Sequence, residues 1–102
     1  MFRIIETTTD SIKVAEKISH SIISSKLSPC IQIIDAVKSN YIWKNEVESS
    51  NEYTIKIKTT VSHINKISSI IKKISNYDVP EIISYEFRVE DKEYEDWFNE
   101  NI

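Results

Sequence analysis

The chain has 102 residues, 40% of them hydrophobic, so it has room for one domain with a real core, residues 1–102. Its formal charge is -3, and its Lys and Arg residues form no stripe of the kind that binds nucleic acid. It contains no glycine, which excludes the glycine-rich loops that hold phosphates and dinucleotides.

The first two predicted elements are a short strand and an amphipathic helix. Residues 2–8 are rich in strand-forming side chains, and the polar run 7–10 (TTTD) supplies helix N-cap residues. Apolar side chains then recur at helical spacing over residues 11–26, at Ile12, Ala15, Ile18 and Ile22. A strand therefore leads into a helix.

Residues 29–60 read as two long strands folded back at Lys44 and Asn45, where Asn can take the left-handed conformation that Gly usually supplies. Each arm has about 15 residues, or roughly 50 Å fully extended. A compact chain of this length is only about 35 Å across. The outer part of the hairpin must therefore bend, be capped, or pair with another copy of the chain.

Three further elements follow the hairpin. Isoleucines at helical spacing predict a helix over residues 64–74, and residues 76–80 form the next break. Residues 81–89 are predicted as a fourth strand and residues 91–101 as a last helix that begins with acidic residues.

The order βαββαβ with a terminal helix predicts an α+β, ferredoxin-like fold, in which helices cover one face of an antiparallel sheet. The other face has no cover within the chain. Apolar residues point to both sides of the strand at residues 31–34 (IQII), which predicts that another subunit covers that face.

No apolar window is long enough for a membrane span, and the first residues become polar too early for a signal peptide. The single cysteine, Cys30, excludes an internal disulfide and fits a reducing compartment. We therefore expect a cytoplasmic protein that binds neither membranes nor nucleic acid.

Three stretches resemble the CutA family, proteins named for divalent-cation tolerance. The first is residues 29–34 (PCIQII) followed by 37–43 (VKSNYIW), the second is 57–60 (IKTT) and the third is 77–82 (YDVPEI), with weaker support from Thr7-Thr8 and Tyr94-x-x-Trp97. The register runs without a gap over nearly the whole chain. The resemblance implies a homotrimer, similar in build to the PII signalling proteins, whose long hairpins pair across subunit boundaries.

The resemblance also implies a cleft between subunits, to which Trp43, Lys58, Tyr77 and Glu81 contribute, and it carries no catalytic mechanism. It predicts a non-enzymatic protein linked to copper tolerance that requires no cofactor, with weak binding of copper or another divalent cation at this seam. The alternative is a PII-like signalling or scaffold trimer that binds a small molecule or a partner protein.

This chain departs from the family at three places. Ala36 and Asn45 stand where relatives usually have Gly, and Ser75-Asn76 stands where many have His-Pro. The bulge near Ala36 is therefore expected to be shaped differently, and a metal ligand at that histidine is missing.

Each candidate site residue has two interpretations. Cys30 is either a metal ligand or a small buried hydrophobe. Trp43 and its neighbour Tyr41 would contact another subunit or stack on a ligand. Lys58 and Glu81 would form an ion pair that holds the cleft or would anchor a ligand.

Overall fold

The computed structural model describes residues 1–102 and contains a four-stranded antiparallel sheet with three α-helices. In chain order the elements are β1 (Phe2–Thr9), α1 (Ile12–Ser24), β2 (Cys30–Trp43), β3 (Glu46–Thr60), α2 (Ile64–Ile74), β4 (Ile83–Glu86) and α3 (Lys92–Glu100). The strand order across the sheet is β2-β3-β1-β4. The ferredoxin-like α+β prediction is confirmed.

The core lies between the sheet and the two helices α1 and α2. Ser11 caps α1, because its Oγ accepts a hydrogen bond from the Val14 amide at 3.3 Å. The helix ends two residues before Lys26, whose backbone is left-handed (φ 62°). Nine buried apolar side chains form the core cluster: Ile5, Ala15, Ile18, Ile22, Leu27, Ile55, Ile57, Ile67 and Ile71.

The hairpin of β2 and β3 turns at Lys44 and Asn45, as predicted. Both residues have positive φ, 49° and 66°, which is the backbone of a two-residue turn that matches strand twist. Trp43 pairs with Glu46 across the turn. The molecule measures 46 × 25 × 21 Å, so the hairpin makes it markedly longer than it is wide.

A β-bulge interrupts the hairpin between Ile34 and Val37. Ala36 has a φ of 68°, and its amide donates to the Asp35 carboxylate at 2.6 Å. Beyond the bulge Val37 pairs with Glu52. The bulge bends the outer half of the hairpin away from the line of the inner half.

The second face of the sheet is partly covered, which corrects the expectation that it has no cover within the chain. Phe98 of α3 is buried and packs edge-on against Phe2, with ring centroids 5.2 Å apart, and against Phe87 at 6.1 Å. Asp91 caps α3 by accepting from the Tyr94 amide at 2.9 Å. One corner of this outer face is therefore closed, but Ile34 on β2 stays 41% exposed.

Strand β4 is shorter than predicted, with Ile83–Glu86 in place of residues 81–89. Arg3 pairs with Glu86, and the Phe87 amide donates to the Phe2 carbonyl at 3.3 Å. Because β1 begins at Phe2, the residues after Phe87 have no residue of β1 to pair with. No helix of the chain is both long and apolar enough to cross a lipid bilayer.

Candidate functional site

A cavity of about 710 Å³ lies between the outer half of the hairpin and the segment that joins α2 to β4. We call it the hairpin cleft. Its lining residues are Thr8, Ser39, Asn40, Tyr41, Trp43, Glu52, Asn76, Tyr77, Asp78, Val79, Pro80 and Glu81. Three of them are carboxylates and three are aromatic, and none is Lys, Arg or His.

The hairpin cleft brings together three of the four residues predicted for the intersubunit cleft: Trp43, Tyr77 and Glu81. They come from two elements that are distant in sequence, since Trp43 ends β2 and the other two belong to the segment before β4. A single chain therefore forms this cavity by itself. The role of these residues at a subunit boundary stays a prediction.

Lys58 and Cys30 lie outside the hairpin cleft and pair with each other across β2 and β3. The Lys58 ammonium lies 3.5 Å from the Tyr94 hydroxyl and 5.7 Å from the centroid of the same ring. Lys58 forms no ion pair with Glu81 in the subunit. Cys30 is half-buried, and the Ser28 hydroxyl holds its backbone by accepting from its amide and donating to its carbonyl.

Glu52 is a residue of the cleft that the sequence reasoning missed. It is only 6% exposed, and its carboxylate accepts a 2.5 Å hydrogen bond from the Tyr77 hydroxyl. Burial, together with this bond to a carboxylate, raises the pKa of Tyr77 above its usual range. In the sequence, Glu52 and Lys56 belong to the alternating polar residues of β3, and this pattern predicts that the Glu52 side chain faces solvent.

Asn76 fixes one wall of the cleft to the end of β1. Its side-chain carbonyl accepts from the Thr9 hydroxyl at 2.7 Å, and its amide group donates to the Asp10 carboxylate at 2.8 Å. Thr9 is fully buried, and its hydroxyl also accepts from the Ser11 amide at 3.1 Å. The segment that carries Tyr77 and Glu81 is thereby attached to the start of α1.

Glu81 carries a carboxyl group whose ionisation is disfavoured. The residue is exposed as a whole, but protein atoms displace water from around its carboxyl group, and Glu6 and Glu52 lie nearby. These effects raise the pKa of Glu81 above its ordinary value. Ionised Glu81 is thus less stable in the folded chain than in the unfolded chain.

The variant Glu81→Gln is therefore expected to be more stable than the parent protein at pH 7. A raised pKa gives a stabilising contribution that is present below the unfolded value and is lost as the pH rises through the folded value. The gain should be no more than about 1 kcal/mol, because solvent screens the group, and should vanish near pH 3. Urea unfolding at both pH values measures it. Glu48→Gln, on the exposed hairpin, is the control, and an equal gain there would contradict the assignment.

No group of three or more His, Cys, Asp and Glu side chains converges within the chain in a way that could hold a metal ion. The three carboxylates of the hairpin cleft therefore do not form a metal cage by themselves. Cys30 likewise has no cluster of such donors around it in the subunit.

Comparisons with known proteins agree with the fold. The family model described as CutA1 divalent ion tolerance protein matches residues 3–101. A curated relative, the divalent-cation tolerance protein CutA of Thermus thermophilus, is 31% identical over 101 residues, which cover 99% of this chain and 98% of the relative. The solved structure of Cut A1 from T. thermophilus superposes with a TM-score of 0.92, covering 99% of this chain and 98% of that one.

Two further proteins are similar over most of this chain. The chloroplastic protein CutA 1 of Oryza sativa is 29% identical over 92% of this chain, which spans 53% of that longer protein. A structure from Archaeoglobus fulgidus, described as a periplasmic divalent cation tolerance protein, has a TM-score of 0.92 at 27% identity and covers 99% of this chain and 98% of its own.

Proposed function

Because the chain belongs to the family of CutA1 divalent ion tolerance proteins, we propose that it acts as a non-enzymatic homotrimer in tolerance to divalent cations, copper in particular. The relatives from T. thermophilus and A. fulgidus are named for tolerance and not for a reaction. Their names give no support to the PII-like signalling alternative.

The observation that carries the trimer is the outer surface of the sheet and hairpin. Ile34, Ile83 and Tyr85 are exposed on the outer face, and near the tip Ile42 and Val47 are 74% and 82% exposed. Isolated exposed apolar residues are ordinary. Here, however, Ile42 and Val47 pair with each other near the tip, and by strand alternation they face away from Ile34, so both faces of the arm expose apolar side chains. A second and third copy that cover these surfaces would explain the excess length of the hairpin.

A polar row on the outer face fits the same arrangement. The Tyr85 hydroxyl donates to Glu6 at 2.7 Å, and the Lys56 ammonium lies 3.6 Å from the same carboxylate oxygen. These groups satisfy one another within the subunit. Neighbouring copies could therefore approach this row without leaving an unpaired charge.

For the metal we propose Cys30, at the seam between subunits. The single thiol of one chain offers too few ligand atoms to hold a metal ion. In a trimer, threefold symmetry would supply three copies of Cys30, and thiolate ligands favour Cu(I) and similar soft ions.

The proposal is tested by copper uptake. Each protein is loaded with copper under reducing conditions and then dialysed to remove unbound metal. The parent protein should retain copper, whereas Cys30→Ser should retain far less copper per chain. His20→Gln, which removes an exposed imidazole on α1, is the control and should keep the parent ratio. An unchanged ratio of copper to chain in Cys30→Ser would show that Cys30 is not a ligand. In the parent protein, less nickel than copper should bind per chain.

We also propose that the protein works in a reducing compartment such as the cytoplasm, because its one cysteine is free and half-buried. Relatives are named as chloroplastic and periplasmic, so the family is not tied to one location.

A further inference from the structure

The hairpin cleft contains a buried carboxylate with no cationic partner. Glu52 is 6% exposed, and its only hydrogen-bond partner is the neutral Tyr77 hydroxyl. The three ion pairs of the chain are Lys56 with Glu6, Arg88 with Glu90 and Lys92 with Asp96, so none includes Glu52. A cationic group is therefore the partner that this buried carboxylate lacks within the chain.

Two more carboxylates, those of Asp78 and Glu81, line the same cavity from the segment before β4. No basic side chain lines it. The raised pKa of Glu81 agrees with this concentration of negative charge, because it arises from lost hydration and from Glu6 and Glu52. The cavity therefore favours a ligand that carries more than one positive charge.

A bare metal ion does not suit this arrangement. A metal needs its ligands to converge within a few ångströms, and no three acidic or His and Cys side chains do so in the chain. The carboxylates instead come from two elements, Glu52 from β3 and the other two from the segment before β4. A molecule with more than one ammonium group can pair with carboxylates of both elements.

The remaining lining residues suit alkylammonium groups. Aromatic rings attract cations over their faces, and Trp43 already has the Lys44 ammonium 6.0 Å from its ring centroid, although Lys44 does not line the cavity. Tyr41 and Tyr77 offer two more rings. The Asn40 side chain and the Ser39 hydroxyl can accept hydrogen bonds from an ammonium group.

From these observations we propose that the hairpin cleft binds a linear aliphatic diamine or polyamine, with ammonium groups held by Glu52 of β3 and by Asp78 and Glu81 of the segment before β4. The methylene chain would lie against Trp43 and Pro80. A volume of about 710 Å³ is within the usual range of small-molecule sites. This ligand goes beyond the proposed function, because it needs neither Cys30 nor a metal ion.

Spermidine is the probe, and isothermal titration calorimetry in about 150 mM NaCl is the measurement, since salt at that level screens weak surface attraction. The parent protein should bind spermidine with a saturable, one-site curve, and 1,8-octanediol, a neutral chain of similar length, should not bind. Trp43 fluorescence in a Trp97→Phe background should change over the same spermidine concentrations, because Trp43 is then the only tryptophan.

Three charge-removing variants decide the assignment. Glu52→Gln should weaken spermidine binding at least tenfold, and Glu81→Gln, at an exposed residue that does not threaten folding, at least threefold. Glu48→Gln removes the same charge from the exposed hairpin outside the cleft and should stay within twofold of the parent. Equal losses in all three variants would show nonspecific attraction and overturn the proposal, as would the absence of saturable binding.

The copper and spermidine experiments fail independently. Cys30→Ser should lose copper and keep its spermidine affinity, whereas Glu52→Gln should keep copper. Loss of spermidine binding in Cys30→Ser would mean that the amine binds at Cys30 and would overturn the cleft assignment, whereas the copper result would be unaffected.

Discussion

The variant Ile34→Asp is expected to be monomeric at micromolar concentration, whereas the parent protein should have three times the 11.9 kDa mass of the chain. Ile34 is 41% exposed in the subunit, so the substitution leaves the subunit's own core intact. In the proposed trimer a neighbouring copy would bury this position. A carboxylate buried there without a partner costs on the order of several kcal/mol, and the symmetry repeats that cost in every subunit.

Light scattering coupled to size-exclusion chromatography measures both masses, and circular dichroism checks that the variant is folded. Ile23→Asp is a matched control, because Ile23 is 42% exposed but lies on α1, on the helical side of the sheet. It should remain trimeric. A monomeric parent protein, or an Ile34→Asp variant that keeps the parent mass, would refute the assigned interface.

Ile57→Ala should destabilise the subunit more than any substitution at its surface. Ile57 is fully buried in the core cluster, on the strand that lies between β2 and β1. Its truncation removes three carbons and leaves a cavity between the sheet and the helices, so the free energy of unfolding should fall by about 3 to 4 kcal/mol. That is a large fraction of the stability of a typical domain.

Urea unfolding at one fixed chain concentration measures the change, because an oligomer's apparent stability depends on concentration. Val61→Ala, at a 49% exposed position just after β3 and outside the proposed interface, serves as the control and should change stability by less than about 1 kcal/mol. A similar loss at both positions would contradict the core role assigned to Ile57.

The features that could be predicted from the sequence depend on residues close together in the chain. The turn at Lys44 and Asn45 follows from two alternating strands that meet there, and the helices follow from isoleucines at helical spacing. The long hairpin and the order of elements then leave few topologies, and the ferredoxin-like arrangement is the simplest of them.

The features that could not be predicted depend on tertiary pairing. Glu52 is buried because Tyr77, which is distant in sequence, lies over it, and nothing near Glu52 indicates that contact. The length of β4 depends on where β1 begins. Three of the predicted cleft residues do line one cavity, but that prediction came from the resemblance to a family and not from the periodicity of the sequence.

The strand order β2-β3-β1-β4 has a consequence for synthesis on the ribosome. The first strand to emerge, β1, lies in the interior of the sheet, where its partners are β3 and β4. Arg3 pairs with Thr59 and with Glu86, so β1 has no strand partner until most of the chain has been made. The hairpin, by contrast, closes a short loop and can form as soon as it emerges. The nascent chain therefore carries an unpaired, strand-forming N-terminus through most of its synthesis, which is the interval in which it is most exposed to aggregation.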